Sequence, residues 1–284
     1  MTWQLPLTQA HRLAGRAGGL VFVGGAGDFD GSGSIIHADD LDAQYTGAID
    51  NLADALESKS CGLQDVVRLK AFYTSDGEVN EWKVLGMLNH AFDCPLPPVI
   101  SAHSVPLQPW SGQSIQLQAI AIKNWREFDD IRHVTQDVPD DMAHAFANPV
   151  VTQGLRAGEF IAVAGQKSID ENGQPIAPTD GIEQTHVVMS RIDNILAELG
   201  ATFQDCIKKE GYYFGTTMEE WAAMAAVRAS YFREPAAVAT VVPCHVLWPK
   251  GLLTKVEVLG MRALWNGFDK YIPRDDCWPE RVWD

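Results

Sequence analysis

Two stretches of this chain carry the same residue pattern about 140 residues apart. DVVRLKAFYTSDGEVNEW begins at Asp65, and DCIKKEGYYFGTTMEEW begins at Asp205. Each has a leading Asp, an extended β-prone run, a turn of small polar residues, and then acidic residues with a Trp. Similarity at a fixed spacing indicates that one structural unit occurs twice. The two halves of the chain are therefore predicted to fold alike.

Further segments match at nearly the same spacing. Gln44 corresponds to Gln184, whereas Arg191 takes the place of Asn51. The matching segments are strands with their turns (18–36 and 158–176), first helices (42–56 and 182–199) and final strands (114–121 and 254–261). In the first helices, apolar residues recur every three or four positions, as on one buried helical face. Each unit is predicted as β-β-α-β-α-β-β, in the α+β class, with helices on one face of a mixed sheet.

The predicted domain organisation follows from this repeat. The first unit spans 1–125 and the second spans 148–265, with a charged, poorly periodic linker at 126–147. A tail at 266–284 is rich in aromatic residues, and we expect it to pack between domains or subunits.

Composition limits the function classes. The 284 residues carry a formal net charge of −15, which disfavours binding to nucleic acid phosphates. No apolar run approaches the roughly 18 residues of a membrane span, and the N-terminus lacks a secretory pattern, so we expect a cytoplasmic protein. The five cysteines are scattered without a CxxC pair, and the histidines do not cluster, so we expect no structural metal site.

The ordered motifs resemble two copies of the Rid family, the YjgF-like reactive-intermediate deaminases. GGA (24–26) and AGQ (164–166) occupy the family's turn, and Asn51-Leu52 matches its helical pair. LPPVISAH (96–103) and SIQLQAIA (114–121) match its last two strands. The resemblance covers most of both halves, excluding the linker and the tail. It implies a cofactor-independent homotrimer that hydrolyses small enamines or imines in clefts between neighbouring units.

The chain departs from the family at the positions that carry this chemistry. The resemblance implies an Arg that binds the substrate carboxylate, but Val99 and Ala237 occupy that position. It also implies a catalytic Glu on the last strand, which we align with Gln116 in the first half and Glu257 in the second. The substrate is therefore expected to lack the usual carboxylate or to be bound by other groups.

Glu257 is the principal catalytic candidate. It lies between Val256 and Val258 in an alternating strand, so its side chain faces away from theirs. On an apolar cleft wall its pKa would be raised, as suits a general acid or base. The alternative is an exposed carboxylate on a strand.

Other polar residues are candidates for the same cleft. The catalytic candidates His103 and His245 are predicted as proton relays, with structural histidines as the alternative. The predicted substrate-binding residues are Gln166, Ser101, Gln116 and His11. Gln166 is either a donor to a substrate carbonyl or an ordinary turn amide, and Gln116 marks the first half as a degenerate partner. His11 occupies a position where the family often has a cleft Tyr.

These features support three functions. The first is a hydrolase or deaminase acting on a small enamine, imine or amide-like metabolite. The second is a non-catalytic protein that binds a metabolite or holds an assembly together. The third is a chorismatase-like enzyme, which would need a basic clamp that the sequence does not display. Partners are expected to be a small molecule and further copies of the chain, with no membrane or nucleic acid.

Overall fold

A computed structural model describes residues 13–75, 79–92, 94–215, 217–234 and 236–262. The predicted site residue His11 and the aromatic tail at 266–284 lie outside these described residues. Within the described part of the chain, no helix is both long and apolar enough to cross a bilayer.

In its described residues, the N-terminal half contains five strands and two α-helices. In chain order they are β1 (Ala14–Ala17), β2 (Leu20–Ala26), α1 (Leu41–Glu57), β3 (Val66–Thr74), α2 (Glu81–His90), β4 (Val99–Val105) and β5 (Ile115–Ile122).

The C-terminal half has the same order of strands and helices, preceded by one additional strand. The elements are β6 (Ile131–Asp137), β7 (Val150–Ala157), β8 (Phe160–Lys167), α3 (Gly181–Glu198), β9 (Cys206–Tyr213), α4 (Met218–Ser230), β10 (Val238–Pro243) and β11 (Thr254–Met261). The additional strand β6 lies in the segment predicted as a linker and pairs antiparallel with β7. The weak periodicity of that segment did not indicate a strand.

All eleven described strands form one mixed sheet. Its order is β1-β2-β5-β3-β4-β7-β8-β11-β9-β10, with β6 attached to β7. The two halves meet where β4 runs parallel to β7, through the pair Val99 and Thr152. Side chains of β3 nevertheless contact those of β9 and β11. The sheet therefore curls, so that the inner faces of the two halves lie opposite each other.

The helices form where the apolar stripes predicted them. Asp40 caps α1 by accepting a hydrogen bond from the Ala43 amide, and Asp180 caps α3 in the same way at Glu183. The buried stripes of α1 and α3 pack on the outer face of the sheet and form the two main apolar cores. A third apolar cluster fills part of the inner face, around Val99, Trp125 and Leu155.

Buried polar contacts hold equivalent turns in the two halves. The Gln44 amide donates to the His37 and Gly112 carbonyls, and Gln184 donates to those of Ala177 and Gly251. A buried amide of this kind is stable only when such partners satisfy it.

The replacement of Asn51 by Arg191 follows the same pattern. Asn51 donates to the carbonyls of Gly27 and Phe29. The Arg191 guanidinium donates to the carbonyls of Lys167 and Ile169. The substitution therefore keeps a donor to the turn after the second strand, while it adds a positive charge.

Candidate functional site

A cleft between the two halves brings together polar side chains from both. It encloses a cavity of about 50 Å³, which exceeds the space that one water molecule needs. The polar and aromatic lining consists of Glu81, Trp82, Ser101, Gln136, Gln153, Gln166, Lys167, Arg191 and Lys255. The first three belong to the N-terminal half and the others to the C-terminal half.

One carboxylate binds two lysines in this cleft. Glu81 Oε1 lies 2.9 Å from Lys255 Nζ and 3.2 Å from Lys167 Nζ. All three side chains are buried. Burial opposes the charge on Glu81, but Lys167 and Lys255 outweigh it and lower the pKa of Glu81. The carboxylate is therefore ionised at neutral pH.

The two lysines have different surroundings. Lys255 also donates to the Ala102 carbonyl at 2.5 Å. Lys167 instead has its ammonium near two indole rings, 5.6 Å from the centroid of Trp82 and 5.4 Å from that of Trp248. Burial is the main cause that lowers the pKa of Lys167, and the charge of Lys255 adds to it.

Two of the predicted substrate-binding residues line this cleft. Gln166 donates to Gln153 Oε1 at 2.8 Å and to the Ala164 carbonyl. Ser101 Oγ accepts a hydrogen bond from the Gly165 amide at 3.0 Å. Ser101 thus links β4 of one half to β8 of the other. Both residues remain candidates for orienting a ligand.

Sheet register corrects the alignment of Glu257 with Gln116. Phe72 of β3 pairs with Gln116, and its counterpart Tyr212 of β9 pairs with Lys255. In the first half, Lys70 pairs with Gln118. In the second half, Glu210, the counterpart of Lys70, pairs with Glu257. The position aligned with the family's catalytic Glu is therefore Lys255 in the second half. Glu257 lies two residues further along β11.

A similar correction applies to the alignment of β4 with β10. Arg68 pairs with Val99, and its counterpart Lys208 pairs with Val238. The counterpart of Val99 is thus Val238 and not Ala237, because the register differs by one residue from the sequence alignment. Neither position carries a guanidinium.

Glu257 lies in a buried ionic network and does not line the cleft cavity. Its Oε1 is 3.0 Å from the Arg68 guanidinium, forms an ion pair with Lys70 and accepts a hydrogen bond from the Tyr212 hydroxyl at 3.3 Å. The predicted rise in its pKa is wrong. Burial opposes the charge, but Arg68, His103 and Lys70 outweigh it and hold the pKa of Glu257 well below its ordinary value.

The network joins opposite charges across the curled sheet. Arg68 and Lys70 belong to the N-terminal half, and both also contact Glu210 of the C-terminal half, at 3.0 and 2.7 Å. Arg68 and Lys70 thus face two carboxylates, Glu210 and Glu257, and Lys208 also pairs with Glu210, at 3.1 Å. A buried cluster of this kind tolerates no unpaired member.

His103 lies beside Glu257 in the ionic network and does not line the cleft cavity, where the sequence predicted it. Its Nε2 is 3.5 Å from Glu257 Oε1, its ring stacks on Tyr212 at 3.8 Å, and neither ring nitrogen makes a standard hydrogen bond among the described residues. Burial and the charge of Lys255 lower the pKa of His103 to about 4. The imidazole is therefore neutral at pH 7.

This burial predicts a specific pH dependence of stability. The unfolded chain takes up a proton on His103 near pH 6.5 and the folded chain only near pH 4. This difference does not reduce the free energy of unfolding above pH 6.5. As the pH falls from 6.5 to 4, it lowers the free energy of unfolding by about 3 kcal/mol. Between pH 7 and pH 4, we expect the free energy of unfolding of His103→Phe to fall by about 3 kcal/mol less than that of wild type. Urea unfolding at several pH values measures this, and parallel curves for the two proteins would contradict it.

The remaining predicted residues lie elsewhere. His245 follows β10, is exposed, and its Nε2 lies 2.7 Å from the Ser75 carbonyl oxygen. Gln116 lies on β5, where its side chain is close to Gly25. Neither lines the cleft between the halves.

Sequence reasoning missed Glu81, Lys167 and Lys255 as a group. The only signal was that an acid precedes a Trp in both repeated stretches, at Glu81 and Glu220. Among the described residues, no three His, Cys, Asp or Glu side chains are arranged to hold a metal ion.

Comparisons with known proteins place the chain in a family. The family model described as Endoribonuclease L-PSP matches residues 124–261. A RutC family protein of Pyrococcus abyssi is 35% identical over 113 residues, which are 39% of this chain and 85% of that protein. A RutC family protein of Pyrococcus horikoshii is 34% identical over 113 residues, covering 39% and 86%.

Solved structures of similar proteins share lower identity. The YjgF gene product of E. coli is 21% identical, with a TM-score of 0.34, and the match covers 39% of this chain and 87% of that one. Given the identity to the Pyrococcus relatives over most of their length, the chain belongs to the RutC family, which is also known as the YjgF or Rid family.

Proposed function

We propose that the chain consists of two fused RutC-type units, and that the cleft between them hydrolyses the C–N bond of a small enamine or imine that bears a carboxylate. The cationic lining of this cleft, contributed by both halves, carries the proposal. Identical element order in the two halves supports the fusion.

Charge favours an anionic substrate. Lys167, Lys255 and Arg191 line the cavity with one carboxylate, Glu81. The cationic side chains outnumber the single carboxylate, which leaves a positive site within a protein of net charge −15. A small carboxylate is attracted to such a site, because charge pairs are strong where water is excluded. The lysines thereby replace the guanidinium absent at Val99.

The same groups supply proton transfer. A lysine ammonium protonates the enamine carbon, which yields an iminium. The Glu81 carboxylate then takes a proton from the water that attacks the iminium carbon, and collapse of the adduct releases ammonia and a ketone. Gln166 and Ser101 lie on the cleft wall, where they orient the substrate.

An imine generated in solution by oxidation of an amino acid provides the test. We expect the wild-type chain to accelerate its hydrolysis and Glu81→Gln to lower kcat by at least about 100-fold, since general base catalysis contributes on that order. Glu219→Gln is the control, because Glu219 is an exposed acid in the first turn of α4. Equal kcat for Glu81→Gln and wild type would refute the role of Glu81.

A non-catalytic, ligand-binding protein is the second candidate. The burial of Glu257 and His103 in the ionic network favours it, because that network withholds both groups from the cavity. A binder would retain a small carboxylate without turning over any imine, and Lys255→Met would weaken its binding. Under either candidate function, the proposal includes a homotrimer located in the cytoplasm.

A further inference from the structure

The two cleft lysines compete for one counter-ion. Glu81 balances the charge of one ammonium, so the other is uncompensated in a buried site. An uncompensated buried cation is costly, and a lysine relieves the cost by releasing its proton.

The hydrogen-bond partners identify which lysine releases the proton. Lys255 donates to Glu81 at 2.9 Å and to the Ala102 carbonyl at 2.5 Å. Lys167 has the longer contact to Glu81, 3.2 Å, and two indole faces. The indoles favour an ammonium by about 0.5–2 kcal/mol each, but they accept no classical hydrogen bond. Burial outweighs them, since the pKa of Lys167 is lowered.

We propose that Lys167 is a nucleophile that forms a covalent imine with 2-oxo and 2-imino acids in this cleft. An amine becomes nucleophilic when it is desolvated beside another cation. The charged groups that face Lys167 are Glu81 of α2 and Lys255 of β11. Arg191 of α3 adds positive charge at the cleft wall. The substrate class rests on the function proposed above.

The covalent step balances as follows. The lone pair of the neutral Lys167 amine attacks the iminium carbon, and the C=N electron pair moves to the substrate nitrogen. A proton then passes from the lysine nitrogen to the substrate nitrogen, and the resulting diamine expels ammonia. The product is an imine between Lys167 and the substrate carbon. Water then adds to that carbon, a proton passes to the lysine nitrogen, and the C–N bond to Lys167 breaks to release the 2-oxo acid. With a 2-oxo acid as reactant, the amine adds to the carbonyl and water is expelled.

Reductive trapping tests this proposal on the wild-type chain. The protein is incubated with pyruvate and cyanoborohydride at pH 7.5 and analysed by intact mass and peptide mapping. We expect one adduct, equal to pyruvic acid less one oxygen atom, located on Lys167. We expect it to form at least about tenfold faster than adducts at the exposed lysines Lys83 and Lys250, because neither amine is desolvated beside another cation in the cleft. An adduct confined to exposed lysines, or located on Lys255, overturns the proposal.

Variants separate nucleophilicity from structure. Lys167→Arg removes the primary amine, retains a basic side chain beside Glu81, and is expected to abolish the adduct. Lys255→Met removes the neighbouring cation, so trapping is expected to slow at least about tenfold at pH 7.5 and much less at pH 10. Equal slowing at both pH values would refute the electrostatic activation of Lys167.

The outcomes for this proposal and for the proposed function are distinguishable. If wild type hydrolyses imines and Lys167→Arg does so at the same rate, the covalent route is refuted and the hydrolase stands. If Lys167 is trapped but wild type hydrolyses no imine, the nucleophile stands and the hydrolase is refuted.

Discussion

Replacing Glu257 by Gln is expected to lower the free energy of unfolding by about 3–5 kcal/mol, because it leaves the buried cations Arg68 and Lys70 to share the single carboxylate of Glu210. Glu257 is fully buried and pairs with both Arg68 and Lys70. Gln keeps the size of the side chain and removes only its charge. Urea unfolding at pH 7 measures the change.

A second substitution in the same network is the matched control. Lys70→Met removes one cation, so the double variant Glu257→Gln with Lys70→Met loses one charge of each sign. We expect the double variant to be more stable than the Glu257→Gln single variant, since the two changes compensate. If Glu257→Gln lowers the free energy of unfolding by less than about 1 kcal/mol, the network behaves as an exposed ion pair.

Replacing Lys255 by Met is expected to lower kcat/KM for a carboxylate-bearing imine by about 100-fold, close to the 2–3 kcal/mol of one charge-assisted hydrogen bond. Lys255 is buried, lines the cavity and forms its ion pair with Glu81. Met retains most of the length and apolar contact of the side chain. Initial rates at several substrate concentrations measure this effect.

An exposed lysine and an uncharged substrate provide the controls. Lys83 pairs with Asp42 at the surface, and we expect Lys83→Met to leave kcat/KM unchanged. For an imine without a carboxylate, we expect Lys255→Met to lower kcat/KM less than tenfold, since that substrate does not use the charge of Lys255. Equal losses for both substrates would show that Lys255 serves folding and not recognition of the anion.

Much of the fold was predictable from local pattern. The first helix was predicted at 42–56 and spans Leu41–Glu57, because its apolar stripe and the capping residue Asp40 mark its limits. The sequence between the halves carried no such periodicity, so β6 was not predicted. That strand forms because β7 offers it a partner, which is a contact outside its own sequence.

The candidate site was less predictable, because strand alternation makes it sensitive to a shift of one or two residues. The sequence alignment of the last strands matched Glu257 with Gln116, whereas the sheet register makes Lys255 the counterpart of Gln116. Bulges interrupt the register of both halves, between Val256 and Val258 on β11 and between Val66 and Arg68 on β3. A sequence alignment does not reveal such interruptions.

The amino-acid sequence alone determined the α+β class and the matching order of elements, because helical and strand periodicities are local properties. Tertiary structure decided the chemistry of the cleft and of the ionic network. Glu81 meets Lys167 and Lys255 across 86 and 174 residues of chain, and Lys70 meets Glu210 across 140. Only the curl of the sheet brings these charges together, and the balance between burial and neighbouring charges then determines which of them are ionised.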